Sequence, residues 1–303
     1  METMIQAGFG RGTICFPESI FPLEGFFEVH DAPHVRLMVL RLPGSAFALL
    51  EAELVIVPQT CVDLWRDKIA ETFGIPREQT VVQMTHTFTT PHEPGPLGPP
   101  GRRPELTEED IRKRAIYHEV TDQAVDEAIR QAKASFGNAV LGWGEGTCKV
   151  NVNCDIETPF GWWLGNDPAG YSNHTMTVLR CDDSSGKLKG VLVNFGMKPA
   201  AIDNAGRKEN RRQISSEISG AFCNKMETAF GVPVVYTVSA GGNQVPYKSA
   251  LRHEVNAQGE AIEIDEGVAQ GLAYADEMSD EMMAACAEIV KEIHCQERVF
   301  DGK

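Results

Sequence analysis

The sequence predicts an α/β protein with mixed central β-sheets and helices packed outside them. Three observations carry this. Short apolar strand-forming runs alternate with stretches of helical period. Buried runs such as Val81-Val82-Gln83-Met84 stop at polar, glycine- or proline-rich loops, as inner strands of α/β sheets do. The order hairpin, helix, strand, polar loop occurs twice, the rhythm of an internal two-half duplication.

The elements follow in order. Gly8, Gly10 and Gly12 alternate in an extended segment, where they permit close backbone packing; their spacing is wrong for a phosphate-cradling loop. Val35–Leu42, the Pro43-Gly44-Ser45 turn and Ala46–Pro58 read as a hairpin. Thr60 begins a helix through a capping-box pattern with Asp63; Val62, Trp65, Ile69 and Phe73 mark its inner face, and Gly74 and Pro76 end it. Thr80–Met84 is the strand that leads to His86. Pro91–Pro104, rich in proline and glycine, reads as a loop crossing the site or a lid. Thr107 with Asp110 caps a long helix to about Ser135. Strands are expected at Ala139–Trp143 and Cys148–Asn153, and Thr158–Tyr171 reads as an aromatic loop walling a pocket. Thr175–Cys181 and Leu188–Phe195 form a second hairpin, ending at Gly196-Met197-Lys198-Pro199. A helix covers Glu217–Phe230, and Val234–Ser239 is an apolar strand running into Ala240-Gly241-Gly242-Asn243-Gln244. Ser279 is expected to cap the last helix. No linker separates the halves, so residues 1–303 read as one domain.

The chain has 303 residues, 42% apolar and 23% charged, as soluble globular proteins do. With 28 basic against 43 acidic residues the formal charge is −15, which argues against nucleic acid or an anionic membrane as partner. No window approaches the ~20 apolar residues of a membrane span, and the N-terminus lacks the pattern of a signal peptide. The 8 cysteines are scattered without a C-x-x-C pair, which reads as buried thiols in a reducing cytoplasm. The expected partner is a small-molecule substrate, with homo-oligomerisation left open.

Several segments, in order over roughly residues 7–250, resemble the N-terminal catalytic region of neutral/alkaline ceramidases. Gly8 to Pro17 is similar to that family's glycine-rich opening, and His30 to Leu40 to the segment before its first hairpin. Gly74-Ile75-Pro76 through Thr85-His86-Thr87-Phe88-Thr89-Thr90-Pro91 resembles the stretch ending Thr-His-Thr-His-Ser-Gly-Pro. Asn194 to Pro199 resembles a segment that ends His-Pro. Ser216-Glu217-Ile218-Ser219-Gly220 resembles a helix start, and Ser239 to Pro246 a Gly-Asp/Asn loop. The family also carries an immunoglobulin-like C-terminal domain, which is not expected within these 303 residues.

The resemblance implies zinc-dependent amide hydrolysis, with His86 at a metal-ligand position. The chain departs from the pattern elsewhere. Phe88 stands at the second histidine of His-Thr-His, Lys198 at the other ligand histidine, and Val245 where the nucleophilic serine falls. A lysine cation beside Zn²⁺ is repulsive. Either Lys198 supplies the charge that zinc would, anchoring a carboxylate or moving a proton, or zinc is held by a shifted set such as His86, His92 and Glu93. The candidate catalytic residues are therefore His86, Lys198, Asn243 and Gln244, with substrate contacts from Trp162, Trp163, Tyr247 and Arg11. The leading reading is a hydrolase of an amide or related C–N bond in a small polar molecule. The rivals are a non-catalytic binding protein and a metal-independent lyase or isomerase using a His/Lys proton-transfer pair.

Overall fold

The computed structural model describes residues 4–95, 105–159, 161–206 and 212–296. Its strands are β1 (Gln6–Thr13), β2 (Phe26–Val29), β3 (His34–Leu42), β4 (Ser45–Ala52), β5 (Thr80–Met84), β6 (Gly137–Asn138), β7 (Val140–Thr147), β8 (Asn151–Thr158), β9 (Gly161–Asp167), β10 (Thr175–Asp182), β11 (Leu188–Phe195), β12 (Arg212–Ile214), β13 (Val234–Val238), β14 (Gln244–Pro246), β15 (Leu251–Val255) and β16 (Ala261–Asp265). Its helices are α1 (Gln59–Phe73), α2 (Glu108–Ser135), α3 (Glu217–Phe230) and α4 (Val268–Glu292). The two main sheets run β5-β4-β3-β1-β6 and β13-β11-β10-β7.

Side-chain alternation sorts these elements into four layers, helix, sheet, sheet, helix. Val35, Leu37 and Val39 of β3 face Trp65 of α1 and Ala124 and Ala128 of α2. The opposite faces meet between the sheets, where Phe9, Met38 and Leu49 pack with Leu141, Cys181 and Val235. Val191, Val193 and Phe195 of β11 face Phe222 of α3 and Met282 of α4. The fold class is thus the mixed α/β one that the sequence predicts.

The two halves share one topology. In each, an outer strand pairs antiparallel with a hairpin, a helix follows, and the next strand joins in parallel. The repeat is also written in residues. Ala7-Gly8-Phe9-Gly10-Arg11-Gly12-Thr13 of β1 matches Leu141-Gly142-Trp143-Gly144-Glu145-Gly146-Thr147 of β7. Phe73-Gly74-Ile75-Pro76 after α1 matches Phe230-Gly231-Val232-Pro233 after α3, both glycines capping in the left-handed region (φ 61° and 70°).

Some boundaries differ from the sequence reading. Pro58, not Thr60, caps α1, and no side chain does so. Ser279 lies buried inside α4 and donates to its own turn at Asp276 O. The stretch 158–171 contains strand β9, paired with β8, rather than only a loop. The hairpin β15–β16 is an addition to the expected elements. All 8 cysteines are unpaired, and burial pushes Cys148 up to about 11 and Cys286 to about 12, so these thiols stay protonated. No helix among the described residues is long and apolar enough to cross a membrane.

Candidate functional site at the strand ends

Beyond β5 the chain is pinned by hydroxyls. Thr85, Thr87, Thr89 and Thr90 are all buried. Thr85 and Thr87 share a hydrogen bond of 2.7 Å, Thr90 Oγ1 donates to Thr87 O, and Thr89 Oγ1 donates to Ser215 O. Arg212, stacked over the Phe26 ring, donates to Phe88 O at 3.1 Å. In the middle of this turn His86 is exposed and adopts φ 63°. A left-handed backbone costs a non-glycine residue roughly 1–2 kcal/mol. Such strain persists where the surroundings impose it and often marks a working residue. The imidazole lies edge-on to Phe88, centroids 4.6 Å apart. Gln83 Nε2 donates to Val238 O at 2.8 Å, which ties the end of β5 to the end of β13.

The second half contributes two touching loops. Lys198 N donates to Gln244 O, and Lys198 Nζ donates to Gly242 O at 3.1 Å. The buried Tyr236 hydroxyl holds Met197 O at 2.9 Å. A Cβ at Gly241 would lie 2.7 Å from the Val238 side chain and in ordinary contact, 3.5 Å, with the Lys198 amide nitrogen. The amides of Gly242 and Asn243 make no hydrogen bond to another described residue. An ammonium on Gly242 O polarises the peptide whose N–H belongs to Asn243, strengthening that donor. The Lys198 ammonium and the open amides are the anion-holding candidates of this corner.

Beneath this corner lies a carboxamide network. Asn151, fully buried, donates to Gly196 O, Asn173 O and Gln244 Oε1, each at 3.0 Å. Gln244 is therefore a buried support rather than an open contact, and Asn243, bonded to it at 3.1 Å, is partly exposed above.

Glu217, not singled out as a site residue from sequence, fixes the loop that follows Lys198-Pro199. It opens α3 with φ 61° and is 1% exposed. Its carboxylate accepts from Ile202 N at 2.5 Å and Ile218 N at 2.9 Å. Asp31 caps the same helix start, accepting from Ser216 N and Ser215 Oγ, each at 2.7 Å. Burial pushes Glu217 up to about 7 despite those amides. A carboxyl raised from 4.5 to about 7 contributes stability below its unfolded pKa and loses it as pH rises through 7, on the order of 3 kcal/mol. Urea unfolding at pH 5 and 8 should show Glu217→Gln losing less stability across that interval than the wild type. Equal losses would overturn this.

Several candidates point elsewhere. His92 Nδ1 is bonded to Glu24 at 3.0 Å, and that hydrogen bond raises its pKa. Glu93 instead meets His118 at 2.5 Å. Among the described residues no three His, Cys, Asp or Glu side chains converge as a metal site. His86, His92 and Glu93 therefore form no such cluster among the described residues; His92 and Glu93 are bonded to different partners. The second part of the proline-rich loop, residues 96–104, lies outside the described residues. Arg11 is built into an ion cluster, 2.6 Å from Glu227. Tyr247 donates to Glu281 of α4.

Trp162 and Trp163 project from β9, 70% and 44% exposed. A cavity of about 320 Å³ sits behind the Lys198 loop, lined among others by Leu164, Ala200, Val245, Ser249 and His253. None of Trp162, Trp163, Tyr247, Arg11, His86 or Lys198 lines it.

No protein-family profile matches the chain, and no curated protein matches it in sequence. Among solved structures it is similar to neutral ceramidase from Pseudomonas aeruginosa, with a TM-score of 0.65 and 17% identity over 95% of this chain and 45% of that one. A ceramidase complexed with C2 gives the same score and identity over 44% of its length. The chain has a ceramidase-like fold and spans less than half the length of these neighbours.

Proposed function

We propose that the protein is a divergent ceramidase-like hydrolase that cleaves an amide or related C–N bond in a small polar molecule at the strand-end loops. The observation that carries this reading is the Lys198 ammonium tied to Gly242 O beside the open amides of Gly242 and Asn243. Hydrolysis of an amide places negative charge on the carbonyl oxygen, and fixed donors aimed at that charge lower the barrier. His86 presents an imidazole to the substrate from the first half. The fold of the solved ceramidases supports the class; the described donor set gives no support to zinc.

Removing one such donor typically lowers kcat about 10²–10³-fold. Purified full-length protein is to be assayed for amine release from a panel of N-acetyl amino acids. Lys198→Ala should keep its melting temperature and lose turnover by that factor. The same corner would also serve a carboxylate-binding protein without catalysis. That reading wins if the wild type binds an N-acetyl amino acid by calorimetry, Lys198→Ala does not, and neither releases amine.

A further inference from the structure

We propose that His174 is the proton acceptor of this site, held in one tautomer by Asn151. The inference rests on the hydrolytic reading above and names the group that would move its proton. Asn151 Nδ2 faces two backbone carbonyls, Asn173 O and Gly196 O, at 3.0 Å each. Flipping the amide would set oxygen against oxygen, so its orientation is fixed by its neighbours. Asn151 Oδ1 then faces His174 Nδ1 at 2.8 Å. A carboxamide oxygen only accepts, so Nδ1 carries the hydrogen. In the neutral ring Nε2 is left with its lone pair, and it has no hydrogen-bond partner among the described residues.

Placement agrees with the role. His174 immediately precedes β10, whose first pairs join the last residues of β11. The side chain that orients it also holds Gly196, two residues before Lys198, and Gln244, next to Asn243. One buried amide thus links the imidazole to both loops of the anion-holding corner. An imidazole with one nitrogen fixed by a buried acceptor and the other open is the arrangement of a general base with its orienting partner. Among the described residues His86 has no such hydrogen-bonded orienter; its ring packs edge-on to Phe88.

The step balances without another reagent. His174 Nε2 takes a proton from a water whose oxygen bonds to the carbonyl carbon. The carbonyl π pair moves onto oxygen, beside Lys198 and the open amides. On collapse the C–N bond breaks, its electron pair stays on nitrogen, and Nε2 returns the proton to that nitrogen. The products are a carboxylic acid and an amine. Asn151 touches no reacting atom and is a positioning residue.

The test uses full-length protein with ¹⁵N-labelled histidine. Imidazole correlation spectra at pH 8 are assigned through the signal lost in His174→Gln. The expected result is the Nδ1–H tautomer at His174, and a shifted tautomer balance there in Asn151→Ala. Glutamine at 174 can still donate to Asn151 but cannot carry the proton. His174→Gln is therefore expected to melt at the wild-type temperature, keep KM for an N-acetyl amino acid within twofold, and lose kcat by about 10²–10⁴. An Nε2–H tautomer, or turnover unchanged in His174→Gln, overturns the proposal while the hydrolase reading stands. Absence of wild-type turnover overturns both the hydrolase reading and this catalytic role, even with the Nδ1–H tautomer in place.

Discussion

Alanine at Gly12 is expected to lower the melting temperature by roughly 5–10 °C, a loss of about 3 kcal/mol or more. Gly8, Gly10 and Gly12 turn one face of β1 toward α2. A Cβ at Gly12 would lie 2.9 Å from the Cα of Ala124 and closer still to its carbonyl oxygen. Gly10 stands the same way over Ala128, and Gly8 over Ala132. These obstacles are helix backbone and cannot rotate away. Relief would require α2 to lift from the sheet, exposing the layer around Val125 and Ile129. The repeated motif supplies the control. A Cβ at Gly144 of β7 would meet only the side chains of Ile293 and Ile289, at 3.0 and 3.4 Å. Those can change rotamer, so Gly144→Ala is expected to cost under about 1 kcal/mol. Thermal unfolding of both variants checks this, and equal losses would show that the close approach of β1 and α2 is not what the glycines serve.

This contrast also shows what the sequence makes legible. Alternate glycines in an extended run announce close backbone packing, and the partner of that packing, α2, carries Ala124, Ala128 and Ala132 at every fourth position. The long helix after Thr107 is legible because its capping box is complete, Thr107 bonding Asp110 N and Asp110 bonding Thr107 N. Periodicity cannot reveal that β8 and β9 pair, because Trp162, Trp163 and Leu164 put apolar residues on both faces of an exposed hairpin. The internal repeat is legible as a repeated order of elements, but less so in its residues, because the matched motifs are short and unequal insertions separate them.

The candidate site is legible in the same uneven way. His86, Lys198 and Asn243 sit where strands end, and strand ends can be read from apolar runs. The supports cannot, since Asn151, Glu217 and Asp31 act through pairings with residues far along the chain. Arg11 shows the converse. It reads as a substrate contact, yet its charge completes a cluster between the halves.

Replacing Arg36 at the centre of that cluster by methionine is expected to cost about 3–5 kcal/mol. Arg36 is fully buried and pairs with Glu53, lies 2.8 Å from Glu227 of α3, and lies 3.6 Å from Glu51. Burial pushes Glu53 up, but Arg36 and His34 outweigh it and hold the carboxyl down at about 2. Glu51 differs. Both of its oxygens are buried without a hydrogen-bond partner, and burial raises it well above the carboxylate range. With Glu51 neutral, Arg11 and Arg36 balance Glu53 and Glu227. Methionine at 36 strands the Glu53 charge, and a stranded buried ion is what makes such a loss large. Arg36→Met with Glu53→Leu should recover much of it, since removing both charges leaves nothing to neutralise.

The neutral Glu51 gives the pH dependence its sign. A carboxyl raised on folding contributes stability below its unfolded pKa and loses it as pH rises through the folded one. Glu51→Gln keeps the shape and cannot ionise, so its urea midpoint should fall less than the wild type's from pH 6 to 9. Should Arg36→Met unfold at the wild-type urea concentration, the ions would carry none of the tie between β3 and α3, and the apolar layer around Phe9 and Val235 alone would hold the sheets together.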